Sequence, residues 1–364
     1  MKKFCFTLAI LFVGFVATLI LLEGVLYFFP VSDGLWRAPV NKKHPVFHYV
    51  PNRTITWSQD WNFDLVNKIH INNEGFVNNQ DYDPSAKTPL VAVIGDSYVQ
   101  ASLVPYPQTF FGRLSHEFEG KGRIYTFGAS ASGLSQYLIW AQYARDRYHP
   151  KEFIISLFGN DFVESLCSYH AVKEGIYCFN KDVQGNAQFE RDDYHPGKLQ
   201  KILQSTRLGR YLWGNCNIKA TLLNLKDMWQ EKKRYASNAA FDVKEQEMND
   251  YRWTVDVFLD KLPEMTGVDP AHIVLLVPGF RPEMYDVEQL KEVQASVWAK
   301  MRAYIFEQAK KRNIQTLDLH PYFMENYAKD KTRFEFSADN HWNTKAHEVI
   351  TDAIIKSKFL NNVF

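Results

Sequence analysis

A chain of 364 residues that is 46% hydrophobic and 15% aromatic is long enough for one large domain with an insertion, or for two smaller ones. Its 42 basic and 41 acidic residues leave a net charge of +1, which excludes nucleic acid or an anionic surface as the partner that dominates the body of the chain. Four cysteines form no CxxC or Cys/His spacing, so no structural zinc and no metal cofactor is expected.

The first element is apolar. Phe4 to Phe29 is interrupted only by small or hydroxyl residues and by Glu23, and Pro30 closes it. About 20 apolar residues suffice to cross a bilayer, and a cleaved signal carries only roughly 7–15. With the basic start Met1-Lys2-Lys3, residues 1–30 read as an uncleaved signal anchor. The expectation is a single pass through a bacterial inner membrane, held by residues 4–29, with the body of the protein periplasmic. Glu23 either snorkels toward the outer interface or pairs within an assembly.

Residues 31–88 form a β-rich collar by the same reading. Pro39, Pro45, Pro51 and Pro84 punctuate short aromatic runs such as Val46–Val50, and Asn72-Asn73-Glu74-Gly75 signals a turn. From residue 89 the rhythm becomes strand then helix. Strands are predicted at Leu90–Ile94, Arg123–Phe127, Phe153–Phe158, His272–Val277 and Ile314–Leu317. Helices are predicted at Gln108–Phe118, Ser135–Arg147, Tyr251–Leu262, Glu288–Lys311 and Thr344–Ile355. Short buried strands alternating with amphipathic helices specify an α/β domain over 89–364, a parallel sheet of about five strands in flavodoxin-like order with helices on both faces. Residues 163–250 break that rhythm. They read as an inserted helical lid carrying Cys167, Cys178 and Cys216, with basic runs at Lys198–Trp213 and Lys219–Lys233 that form solvated helix faces. In an oxidising compartment Cys167 and Cys178 would pair; three free thiols is the alternative.

The chemistry gathers at strand ends. Val91–Ile94 runs into Gly95-Asp96-Ser97, placing a hydroxyl at the rim where open α/β sheets bind ligands. Thr126-Phe127-Gly128 follows the second strand, Gly159-Asn160-Asp161 the third, and Asp339-Asn340-His341-Trp342-Asn343 precedes the last helix. A hydroxyl, a base, a carboxylate and neutral donors are what acyl transfer requires.

In these four blocks the sequence resembles the SGNH (GDSL) hydrolase family, over residue 89 to the end but not over the anchor, collar or insertion. The resemblance implies Ser97 as nucleophile, His341 as general base and then acid, and Asp339 as the carboxylate that fixes the imidazole tautomer. The oxyanion would be held by the Ser97 and Gly128 N–H groups and the Asn160 side-chain amide. The commoner pattern has its aspartate three residues before the histidine, where this chain has Ala338; an Asp-x-His-Trp block is similar to the branch of alginate-type polysaccharide O-acetyltransferases. The second block also lacks the usual asparagine, reading Thr126-Phe127-Gly128.

Competing motifs are missing from the sequence. Gly128-Ala129-Ser130-Ala131-Ser132 fails as a G-x-S-x-G elbow, and there is no phosphate loop, dinucleotide pattern or H-E-x-x-H. Arg281, after the fourth strand, faces the same rim and either binds an anionic substrate group or forms a structural ion pair. The function expected is a membrane-anchored serine esterase acting on O-acyl, most plausibly O-acetyl, esters of an envelope or exported glycan, without cofactor. Alternatives are a polysaccharide O-acetyltransferase using the same triad, with a membrane-bound acyl-donor or assembly partner, and a catalytically silent glycan-binding protein.

Overall fold

The computed structural model describes residues 2–169, 174–218, 234–337 and 339–363. The predicted basic run Lys219–Lys233 lies outside the described residues. Two compact units are present, one formed by 1–36, 54–69 and 195–232, the other by 37–53, 70–194 and 233–364.

The first unit begins with α1 (Lys2–Leu26), a helix about 37 Å long at 1.5 Å per residue and apolar enough to cross a membrane. Most of the hairpin β1 (Arg53–Gln59) and β2 (Leu65–Ile71) belongs to the same unit. Two short helices, α6 (Lys198–Ser205) and α7 (Arg207–Arg210), and the helical turn Tyr211–Asn215 after them belong to it as well. The Glu23 carboxylate accepts from the backbone N–H groups of Arg207 and Leu208, each at 2.8 Å, while the Thr206 hydroxyl accepts from Gly209. Three of the four N–H groups that open α7 are thereby satisfied, two of them by a residue of α1.

The second unit is the α/β body. Its parallel strands are β3 (Leu90–Gly95), β4 (Arg123–Gly128), β5 (Glu152–Ser156), β10 (Ile273–Val277) and β11 (Gln315–Asp318). Their spatial order is β11-β10-β5-β3-β4, the flavodoxin-like order the alternation predicts. The inner strands β3, β5 and β10 are covered on both faces and fully buried, whereas the edge strand β11, Gln315–Asp318, is largely exposed. Val91, Val93, Ile124 and Ile154 pack with α3 (Phe110–Glu117), α11 (His320–Asp330) and α12 (Thr344–Lys356) through Phe110, Leu114, Phe323, Ala346 and Ile350. On the other layer are α4 (Leu134–Tyr148), α8 (Glu245–Thr266) and α10 (Val297–Lys311), with Leu138, Phe258 and Trp298 buried. The helix predicted over Glu288–Lys311 is two, because Ser296 caps α10 by accepting from Ala299 N–H and so ends α9 (Val287–Glu292) before it.

Strand β4 lies at the sheet edge, and the segment before β3 covers it. Tyr82 donates to the Thr126 carbonyl at 2.5 Å and accepts from the Thr126 N–H at 2.8 Å, while Asn78 donates to the Thr126 hydroxyl at 3.1 Å. An open edge is thus closed by side chains rather than by another strand. The run Val46–Val50 is not a strand; its backbone is spent on a bridge between Arg37 and Tyr49 and on the bond from Tyr49 N–H to the Gly75 carbonyl. Between β5 and α8 lie α5 (Asp161–Glu164), the hairpin β6 (Cys178–Lys181) and β7 (Ala187–Glu190), and a two-by-two hairpin β8 (Tyr235–Ala236) and β9 (Ala239–Ala240). Cys167 and Cys178 form a disulfide; Cys5 and Cys216 are free thiols.

Candidate active site

Strand β3 stops at Gly95 because the next turn is capped by the side chain of Asp96, which accepts from Tyr98 N–H at 3.0 Å and starts the single-turn helix α2 (Ser97–Gln100). Ser97 is the first residue of that helix, half-buried at the carboxyl end of β3, the strand between β5 and the edge strand β4. Its N–H is therefore one of the donors that a helix cannot satisfy internally.

The loop before α12 brings His341 to this hydroxyl. His341 Nε2 lies 2.7 Å from Ser97 Oγ, and His341 Nδ1 lies 2.5 Å from Asp339 Oδ1. The same Asp339 oxygen also accepts from the His341 backbone N–H at 2.7 Å. Hydroxyl, imidazole and carboxylate thus stand in series, with both ring nitrogens used. In this arrangement a proton can pass from the hydroxyl to Nε2 while the carboxylate holds Nδ1–H.

Asn160 sits at the start of α5 and its amide nitrogen donates to Asp96 Oδ2 at 3.3 Å and Glu164 Oε2 at 3.0 Å. Its carbonyl oxygen is buried without a partner among the described residues. Glu164, one helical turn on, is a site residue the sequence reading missed, although an Asn/Glu pair at i,i+4 was there to be read. Burial first, and then the Asp96 charge, push its carboxyl up to about 8. Asp161 is also driven well above the carboxylate range by burial and by Asp96, and it braces the turn by accepting from Phe158 N–H at 2.7 Å and Tyr137 OH at 2.9 Å.

Gly128 is placed differently from the other three blocks. Thr126 turns its N–H and C=O toward Tyr82, so the alternation of the strand sends the Gly128 N–H to that side also, away from β3. What the glycine provides is room. A Cβ there would stand 2.9 Å from the Gln100 nitrogen and 3.1 Å from the Val99 carbonyl carbon, so only a bare backbone lets α2 seat against β4. Gln100 then fixes the following loop, its Oε1 accepting from Ser130 N–H at 2.9 Å and Tyr49 OH at 2.6 Å.

Arg281 is buried and its donors are committed. It gives a hydrogen bond to the Asn340 carbonyl at 2.5 Å, a longer one to Tyr98 OH at 3.4 Å, and pairs with Glu335 at 3.4 Å. Of the two sequence readings, the geometry is that of the structural ion pair. Tyr98 and Asn238 are further residues that sequence reasoning did not single out. The Tyr98 ring stacks on Phe158 and lies 4.7 Å from the His341 ring, and its hydroxyl donates to Asn340 O at 3.0 Å while accepting from Asn238 at 2.9 Å. Asn238 occupies the turn of the β8–β9 hairpin with φ of 68°, a conformation asparagine tolerates better than most side chains. That hairpin packs on the backbone of Gly159, where a Cβ would meet Ser237 O at 2.6 Å and Ala239 N at 2.9 Å. Among the described residues no group of acidic, histidine or cysteine side chains could hold a metal ion.

No family model and no curated protein matches the chain. Among solved structures it is similar to TesA, at 12% identity and a TM-score of 0.38, over 76% of this chain and 99% of that one. It is similar also to the acetyl xylan esterase AlAXEase, at 12% identity and a TM-score of 0.40, over 74% and 98% of the two chains. A third likeness is to the psychrotrophic esterase EstA from Pseudoalteromonas sp., at 11% identity and a TM-score of 0.38, over 75% and 98%.

Proposed function

We propose that the chain is a membrane-anchored serine ester hydrolase of the SGNH type. The observation that carries this reading is the continuous relay from Ser97 Oγ through both nitrogens of His341 to Asp339, with contacts of 2.7 and 2.5 Å. Ser97 Oγ adds to the ester carbonyl carbon as its proton moves to His341 Nε2, and the carbonyl π pair goes to oxygen. Collapse of that oxyanion breaks the bond to the alcohol, which leaves with the proton from Nε2. Water then repeats the sequence on the acyl-serine, releasing the acid and restoring Ser97. Asp339 holds Nδ1–H throughout and stabilises the imidazolium.

The oxyanion meets the N–H of Ser97 and the amide of Asn160, which must turn from Asp96 and Glu164 toward the developing charge. Gly128 contributes the close seating of α2 that aims Ser97. The span of α1 and the Cys167–Cys178 disulfide favour an exported body in an oxidising compartment, with the catalytic domain outside the inner membrane. The substrates we assign there are O-acyl esters of envelope or exported glycans, O-acetyl esters in particular.

The test is fluorophosphonate labelling of the full chain in detergent, read by intact mass, beside Ser97→Ala and His341→Ala. One adduct on the wild type and none on either variant is expected, with turnover of a small acetyl ester falling by about 10⁴ or more in both. Folded wild-type protein that takes no adduct and leaves the ester intact refutes the reading. If a sugar hydroxyl, rather than water, receives the acyl group from the labelled serine, the enzyme is a transferase with the same first half-reaction.

A further inference from the structure

Helix α6 carries Leu199, Ile202 and Leu203 on one apolar stripe, at spacings of three and four residues. Leu199 and Leu203 line, with Trp36, a cavity of about 490 Å³ in their own unit. Leu199 and Ile202 are still 66% and 60% exposed. An eight-residue helix with no side-chain N-cap and no fully buried residue is marginal by itself in water. The first unit leaves Leu199 and Ile202 exposed.

The position of α6 says what covers them. One residue, Thr206, separates α6 from α7, and the first two N–H groups of α7 are bonded to Glu23 in the last turn of α1. An eight-residue helix is about 12 Å long, so α6 cannot travel farther than that from the level of Glu23 whichever way it runs. If α1 spans a bilayer, that level is the boundary between acyl chains and headgroups. The chemistry of the neighbourhood fits the same layer. The Arg207 guanidinium lies 4.6 Å above the Tyr27 ring and donates to the Phe29 carbonyl, while Tyr27, Phe28, Trp61 and Trp213 of this unit are exposed. Aromatic rings with adjacent cations are the composition of membrane interfaces. Lys198 and Lys201 flank the apolar pair on α6 and can reach lipid phosphates.

We propose that α6 is an interfacial helix, with Leu199 and Ile202 lying in the headgroup layer of the bilayer that α1 crosses. The occupant of the exposed face is lipid, not a protein. The first unit is thereby held at the membrane surface at two points, by the span and by α6, with Glu23 joining them. This inference rests on the reading of α1 as a span and is independent of the esterase chemistry.

The test uses the full chain in vesicles of phosphatidylcholine and phosphatidylglycerol, with Cys5→Ser and Cys216→Ser and one added cysteine for a nitroxide label. Ile202→Cys and Leu199→Cys report on the helix. Val13→Cys reports on the middle of α1, and Val183→Cys, at a residue 98% exposed in the β6–β7 turn, reports on water. The ratio of collisions with oxygen to collisions with a water-soluble nickel chelate measures depth. At both α6 positions the ratio is expected several-fold above that at 183 and below that at 13, as for side chains about 5–10 Å into the boundary. Positions 199 and 202 matching 183 while 13 reads deep overturn the inference and leave the anchor standing. Shielding of 199 and 202 from both reagents overturns it in favour of a protein partner or a second copy. A water-like ratio at 13 as well refutes the anchor itself, and the inference with it.

Discussion

Replacing Arg281 with methionine distinguishes a brace from a substrate clamp. The guanidinium is buried, pairs with Glu335, and hydrogen-bonds the carbonyl of Asn340, the residue between Asp339 and His341. Removing one partner of a buried ion pair costs about 3–5 kcal/mol. Glu335 would keep Arg333 Nε at 2.7 Å and Tyr285 OH at 2.6 Å, so the low end applies, about 3 kcal/mol. At about 2 °C per kcal/mol for a chain of this size, Tm falls by about 6 °C. Among the described residues the Asn340 carbonyl would retain only Tyr98 OH at 3.0 Å, so the segment carrying Asp339 and His341 is free to shift. A displacement near 1 Å at the reacting centre is worth about 100-fold, which predicts a fall in kcat of about 10- to 100-fold with KM nearly unchanged. Thermal unfolding and hydrolysis of a small acetyl ester measure both quantities. Unchanged Tm and kcat with a raised KM would show that Arg281 touches substrate, and the bracing assignment would be wrong.

The Glu164 carboxyl keeps its proton up to about pH 8 in the folded chain, whereas an unfolded glutamate loses it near 4.5. Its folded value is raised, so the stability it contributes is complete below the unfolded value and is lost as pH rises through the folded one. Glu164→Gln should therefore flatten the decline in unfolding free energy between roughly pH 4.5 and 8, and parallel urea-unfolding curves for the two proteins across that window would contradict it. Gly159→Ala pushes a methyl group against the Ser237 carbonyl and the Ala239 nitrogen, backbone atoms that cannot rotate away. A cost of about 1–3 kcal/mol is expected, with lower ester turnover because Asn238 is pulled from Tyr98; full activity at unchanged stability would show that the hairpin is not part of the site.

The inner strands were legible because a parallel strand covered on both faces needs a short apolar run; the edge strand β11 carries little of that signal and was legible from the strand–helix rhythm. Val91–Ile94 and Ile273–Val277 carry that signal in every residue. The Ser97, Asn160 and His341 blocks were legible for a related reason, since strand ends and helix starts bring functional side chains to one rim whatever the detailed packing. Contacts between segments far apart in the chain were not legible. Nothing in the sequence near Arg281 announces Glu335, and nothing in Ser237-Asn238 announces Tyr98. The aromatic run Val46–Val50, read as part of a β-rich collar, is not a strand because Phe47 packs against Tyr49 and Trp140 with no neighbouring strand required. Glu23 was noticed as an anomaly, but its partners are backbone N–H groups, which a sequence does not mark.

The two hydrogen bonds that Asp339 makes to His341 are both local, spanning two residues, whereas the bond from His341 to Ser97 spans 244. As the protein is heated or titrated with denaturant, the long-range contact depends on the whole body and the short one on a single loop. Activity should therefore disappear before the imidazole loses its carboxylate. A nitrogen resonance of His341 would still report a bonded Nδ1–H in molecules that no longer react with a fluorophosphonate.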